Sequence, residues 1–182
     1  MPLHEWETFY VIVGSSAAAL TGLQFVVIAL SADVDIGGGE VEFAAFATPN
    51  IVHFSGVLLI SAMLSMPGQG QTSLAWCIGI TGLLGLAYAI YTTNAARQSK
   101  DYTPVLEDWI FHSILPILTY LTLLISGCVV RSHPDLSLHL IGVTSLVLLY
   151  IGIHNAWDTA LFMALAKKKI DREARRRGDD AN

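Results

Sequence analysis

Residues 43–96 read FAAFATPNIVHFSGVLLISAMLSMPGQGQTSLAWCIGITGLLGLAYAIYTTNAA and hold no Asp, Glu, Lys or Arg. A helix needs about 20 apolar residues to cross a bilayer, so this stretch is long enough for two crossings. Pro67-Gly68-Gln69-Gly70-Gln71 is turn chemistry and divides it. Working outward, residues 8–32, 109–130 and 136–157 also lack those four residue types. The reading is an all-α, polytopic membrane protein. It is a bundle of five transmembrane helices, over roughly 9–31, 43–66, 72–95, 107–130 and 137–164.

Composition points the same way. Of 182 residues, 53% are hydrophobic and 14% charged, with a mean hydropathy of +0.56. A soluble domain carries about 25% charged residues. Disorder, a coiled coil and a disulfide-stapled secreted domain are excluded on the same grounds. No stretch leaves room for a separate soluble domain, so residues 1–166 form one transmembrane domain and 167–182 a basic tail. Met1 to Thr8 hold two Glu and no Lys or Arg, whereas a signal peptide opens with positive charge. The apolar stretch runs past Ala17-Ala18-Ala19 to Leu30, so the first span is expected to be retained.

An odd number of spans puts the termini on opposite sides. Of the ten Lys and Arg, all but Arg131 then fall on one side. Cytoplasmic loops carry the Lys/Arg excess, which places the N-terminus outside and the C-terminus inside. The net charge of −5 does not bear on this, because acidic residues contribute little to that rule. Asp33, Asp35, Glu40 and Glu42 surround Gly37-Gly38-Gly39 in the first inner loop, read as a solvated turn or as a cation-attracting vestibule. Lys167, Lys168, Lys169, Arg172, Arg175, Arg176 and Arg177 are expected to rest on anionic lipid of the inner leaflet, at about 1 kcal/mol per basic residue. No nucleic-acid module accompanies them.

There is no internal repeat, and an odd helix count argues against a simple inverted-repeat transporter. Gly14, Ala17, Ala18 and Gly22 in the first helix, and Gly79, Gly82 and Gly85 in the third, read as helix contacts, because small residues let backbones approach in lipid.

Ionisable residues inside a membrane are costly, and each is a candidate functional site. Residues four apart share a helix face. Tyr150, His154 and Asp158 stack in this way on the fifth helix, and Asp108 and His112 on the fourth, with Thr119, Thr122 and Ser126 nearby. Pro116 removes the donor that would meet the carbonyl of His112. Asn50 and His53 share a face of the second helix, just after Pro49. At 1.5 Å per residue, His53 and His154 lie about 15 Å from the inner ends of their helices and His112 about 8 Å. The ionisable side chains therefore gather in the inner half, leaving only His139 near the outer end.

Three chemistries fit that gathering. One is structural, each polar group bonding a neighbouring carbonyl or hydroxyl. A second is an ion site, proton relay or gate built from His53, Asp108, His112, His154, Asp158, Asn50, Tyr150 and Thr119, since histidine titrates near neutrality. A third is a divalent metal or haem held by His53, His112, His154 and Asp158, because i, i+4 pairs present two ligands on one face. No HExxH, CxxCH or selectivity-filter motif is present.

Other signals carry less. His133-Pro134-Asp135 copies the J-domain tripeptide but sits in a short loop between spans. Cys77 and Cys128 lie near the outer ends of adjacent helices, read as buried thiols with a disulfide as the alternative. Trp6, Trp76, Trp109 and Trp157 fall at helix ends, where an aromatic belt puts them. Ser15-Ser16 has no base beside it on its own helix.

The first helix, from Trp6-Glu7-Thr8-Phe9-Tyr10 through Gly14 and Ala18-Ala19-Leu20-Thr21-Gly22-Leu23 to Phe25-Val26, resembles the opening of small, uncharacterised bacterial multipass proteins. The resemblance implies a bacterial inner-membrane location and brings no activity with it. The function expected from the residues is a small channel or transport protein, acting as a homo-oligomer. A metal- or haem-binding membrane protein and an accessory subunit of a larger complex are the alternatives. Whether the chain is an enzyme is left open.

Overall fold

The computed structural model describes the backbone over residues 3–31, 39–98 and 106–179. Side chains are described over 3–29, 48–97, 106–107, 109–170, 172 and 176. Asp33 and Asp35 of the acidic loop lie outside the described residues, whereas Glu40 and Glu42, expected in that loop, fall in the first turn of the second helix; their side chains and those of Asp108, Arg175 and Arg177 are not described.

Every element among the described residues is helical: α1 (Leu3–Ser31), α2 (Gly39–Leu64), α3 (Gln71–Gln98), α4 over 106–129 and α5 (Pro134–Asp179). A helix satisfies its backbone polar groups internally, which is what hydrocarbon demands. Among the described residues, four helices are long and apolar enough to cross a membrane: Leu3–Ala29, Gln71–Arg97, Ile110–Val129 and Pro134–Ile170. The apolar part of α2 described here is the shorter Thr48–Leu64.

The boundaries have local causes. Gly68 takes a left-handed φ of 74° after Pro67, which only glycine adopts without strain. Gln69 Nε2 donates to the Met63 carbonyl at 3.3 Å, and Ser73 Oγ donates to Gln69 Oε1 at 2.8 Å, bracing the turn on both sides. Between α4 and α5, the Ser137 hydroxyl donates to the Ser126 carbonyl at 2.7 Å. The fifth helix, expected to end near residue 164, continues to Asp179. Residues 164–177 are rich in Ala, Lys and Arg and contain no Gly or Pro, so the helix has no reason to stop when the apolar run does.

Helix α4 is not uniform. Leu106–Trp109 is α-helical, Ile110–Ile114 forms a π-helical turn and Leu115–Val129 resumes the α form. The Leu115 N–H donates to the Ile110 carbonyl, five residues back. Pro116 follows immediately and has no N–H to offer, so the irregularity falls where the ordinary ladder is already broken.

The helices pack with α2 and α5 in the middle. Helix α1 lies against α2 and α5, and α3 lies against α4 and α2, while α4 completes the bundle against α5. Small residues set the closest approaches. A Cβ on Gly127 would meet the Gly79 nitrogen at 2.5 Å, and one on Gly82 would meet the Leu124 nitrogen at 2.5 Å. Gly14 fits against Ser61 in the same way. Gly22 and Ala18, expected at helix contacts, are exposed, and Gly22 has nothing within 4 Å.

Phe54, Val57, Ile60, Leu123, Leu138, Ile141 and Leu148 form the apolar core. Large apolar side chains also cover the outside, among them Ile12, Leu23, Phe25, Leu84, Trp76 and Trp157. A soluble monomer rarely exposes so continuous an apolar surface; facing lipid, it is the ordinary outer face. Cys77 and Cys128 are free thiols, Cys128 exposed.

Candidate functional site

Two contacts fix the register of the bundle. Phe54 on α2 packs where Gly152 of α5 leaves room. Gly14 on α1 meets Ser61 on α2. Helix α2 runs antiparallel to both partners. Residues below Phe54 on α2 therefore share a level with residues beyond Gly152 on α5 and beyond Gly14 on α1. The end reached in that direction is where Lys167, Lys168 and Lys169 emerge, and it is called the basic end.

At that end His154 lies between two carboxylates. Its Nε2 is 3.3 Å from Asp158 Oδ2 and 3.6 Å from Glu107 Oε1. The i, i+4 spacing on α5 explains the first contact, and the packing of α4 on α5 the second. The imidazole stacks on Phe111, with ring centroids 3.7 Å apart and planes 25° from parallel. Glu107 and Asp158 are more than half exposed, while the His154 side chain is 20% exposed. Tyr150, the third member of the i, i+4 row on α5, is 60% exposed and lies 6.0 Å from Phe111. Arg97 sits over Trp109 at 5.4 Å, tying the end of α3 to the start of α4.

Beside His154, at nearly the same level, the π-turn meets α5. Asn155 Nδ2 donates to the Phe111 carbonyl at a long 3.5 Å. Asn155 and Asn50 are 1% and 0% exposed. Asn50 lies one turn below Phe54, and Asn155 nearly one turn beyond Gly152, so the two amides are at the same level, about 5 Å toward the basic end. Neither Asn50 amide atom has a hydrogen-bond partner, nor does Asn155 Oδ1. By the Gly14–Ser61 register, Gln24 of α1 reaches the same level, buried with its Nε2 unpaired.

Deeper still, His53 Nδ1 is 3.0 Å from the Tyr120 hydroxyl, with both side chains buried. Tyr120 comes from α4, and its ring occupies the space that a Cβ on Gly85 of α3 would need. His112 lies within the π-turn. A cleft of about 430 Å³ between α2 and α3 reaches Tyr120 from the lipid side, through Val52, Gly56, Leu59, Trp76 and Tyr88. Beyond this level Val57, Ile60, Leu123 and Leu138 are fully buried.

The expected gathering of polar residues thus falls into two groups. His154 and Asp158 are together, and His53 pairs with Tyr120 instead. Among the described residues, no three or more His, Cys, Asp or Glu side chains converge closely enough to hold a metal ion. Thr119, Thr122 and Ser126 are bonded back to carbonyls of their own helix, at 2.6, 2.8 and 2.7 Å. Their hydroxyl protons are therefore committed locally.

Three participants escaped the sequence reading. Glu107 was passed over for its neighbour Asp108, Asn155 for His154, and Tyr120 lay off the helix-4 stripe. Tyr120 had one available signal, the glycine run on α3 that makes a slot for a large ring. Comparison with family models, with curated proteins and with solved structures gives no match.

Proposed function

We propose that the chain is a small multipass membrane transport protein whose cytoplasmic half carries an ion site and proton relay. The observation that supports this most is the graded burial of titratable groups. Exposed Glu107 and Asp158 flank half-buried His154, and the buried His53–Tyr120 pair lies deeper. Ionisable groups in this setting are expensive to retain. A purely structural use would be met by hydroxyls bonded back to their own helix, as Thr119 and Ser126 are. The packed apolar side chains beyond Tyr120 act as the closed gate of this conformation.

The basic end faces the cytoplasm in this reading, with the N-terminus outside, because all but one of the Lys and Arg lie there. Lys167, Lys168, Lys169, Arg172 and Arg176 meet anionic headgroups. The membrane is the bacterial inner membrane, on the resemblance of the first helix, and the working unit is a homo-oligomer, as is usual for small polytopic chains.

The test is ion flux in proteoliposomes, read with pH-sensitive and cation-sensitive dyes. Wild-type protein is expected to move protons or monovalent cations down an imposed gradient, and His53→Gln with Asp158→Asn to abolish the movement. Wild-type vesicles no leakier than empty ones overturn the reading.

A further inference from the structure

The relay has a middle that no side chain bridges. Asn50 presents an unpaired Nδ2 and an unpaired Oδ1, and Asn155 an unpaired Oδ1. Buried polar groups in folded proteins nearly always have partners, so three such atoms at one level call for an occupant. Asn50 and Asn155 are 0% and 1% exposed in the single chain. Neither a second copy, nor another protein, nor a lipid tail reaches atoms enclosed in that way. Only a species small enough to pass between the helices does.

The chemistry of the unpaired atoms narrows it further. They include a donor as well as acceptors. A metal cation satisfies the two carbonyl oxygens and leaves the NH₂ unpaired, whereas water donates and accepts. A buried water typically has two to four polar partners, and the two amides with the long Asn155–Phe111 contact of 3.5 Å supply them. The location carries the rest. By the Phe54–Gly152 register the level lies within about one helical turn of the levels of both His154 and His53, and at the π-turn, an irregularity that recurs at functional sites.

We infer that Asn50, Asn155 and the π-turn enclose a hydrated chamber, and that the ion the protein carries is the proton, passed by this water between His112 and His53. The inference rests on the transport reading and names its substrate. In the step, protonated His112 gives its N–H proton to the water, and the water gives one of its own protons to His53. With Nδ1–H of His53 donating to the Tyr120 hydroxyl, Nε2 holds the lone pair that receives it. His112 is left neutral, His53 becomes imidazolium and the water is regenerated. Only N–H and O–H bonds change.

Two readouts separate the chamber from the transport. The first is labelling in a background carrying Cys77→Ala and Cys128→Ala, with a small cationic methanethiosulfonate. The thiolate is the reactive form, so labelling reports water at the thiol. Asn50→Cys and Asn155→Cys are expected to label at least about tenfold faster than Leu148→Cys, which stands in the dry core. The second is flux: Asn50→Leu and Asn155→Leu are expected to lower proton flux about tenfold, while Asn50→Ser and Asn155→Ser, which keep a polar atom and room for water, retain it. Melting temperature and monodisperse elution establish that each variant is folded. Labelling no faster than at Leu148→Cys overturns the chamber, even in a protein that moves protons. Unchanged flux in both leucine variants, or flux of sodium or potassium in place of protons, overturns the proton step. Fast labelling in a protein that moves no ion overturns the proton step by removing the transport reading beneath it, and leaves the chamber standing.

Discussion

His53 and Tyr120, 67 residues apart in the chain, meet at 3.0 Å inside the bundle. The contact depends on a third residue. The Tyr120 ring fills the notch left by Gly85, and this directs the hydroxyl across to α2. Three helices thus converge on one hydrogen bond, at the level where the polar half gives way to the apolar core.

Removing one partner should cost more than removing both. Tyr120→Phe leaves the His53 nitrogen buried without its partner, a loss of about 1–3 kcal/mol. Thermal unfolding in detergent would read this as a lowered melting temperature. The double variant His53→Leu/Tyr120→Phe should lose less than the sum of the two single variants, the signature of a direct pair. Additive losses would mean that the two side chains do not bond.

Gly127 on α4 should differ sharply from Gly22 on α1. Gly127→Val drives side-chain atoms into the Gly79 backbone, and a misfit of that kind costs about 1–3 kcal/mol or more. Reduced expression and an aggregated elution profile are expected. Gly22→Val meets nothing within 4 Å and should elute and melt like wild type.

The carboxylates beside His154 should share a role. Glu107→Gln or Asp158→Asn alone leaves the other acid in reach, and proton flux in vesicles should fall only about twofold, because exposed pairs are screened. The double variant should lower it about tenfold. A double variant as active as wild type would remove His154 from the route.

Topology can be checked in whole cells. A green fluorescent protein fused after Asn182 should fluoresce, since it folds on the cytoplasmic side, and an alkaline phosphatase fused there should be inactive. Replacing Lys167, Lys168, Lys169, Arg172 and Arg176 with Gln should weaken association of the purified tail peptide with anionic vesicles and leave neutral vesicles unaffected. The opposite fusion pattern would invert the assignment of the basic end.

The helices themselves were legible from residues in order. Charge-free runs of spanning length, divided by Pro67-Gly68 and by the Arg131–Pro134 turn, specify them because a helix closes its hydrogen bonds within its own segment. Gly82 and Gly85 were legible as contacts, and both stand where an added Cβ would clash with the neighbouring helix. The i, i+4 pairing of His154 with Asp158 follows from helix geometry alone. Rotation and partnership were not legible. With apolar residues on every face, periodicity does not say which face turns inward, so Tyr150 was grouped with a buried path and stands exposed. Glu107, Asn155 and Tyr120 acquire meaning only from side chains on other helices. Their positions are decided by van der Waals packing among nearly equivalent apolar faces, with the notch at Gly85 and the π-turn before Pro116 choosing one arrangement. The sequence by itself determined that helices form and which segments form them. Only the tertiary structure decided which polar atoms meet, because that balance is struck between helices and is written in no single one of them.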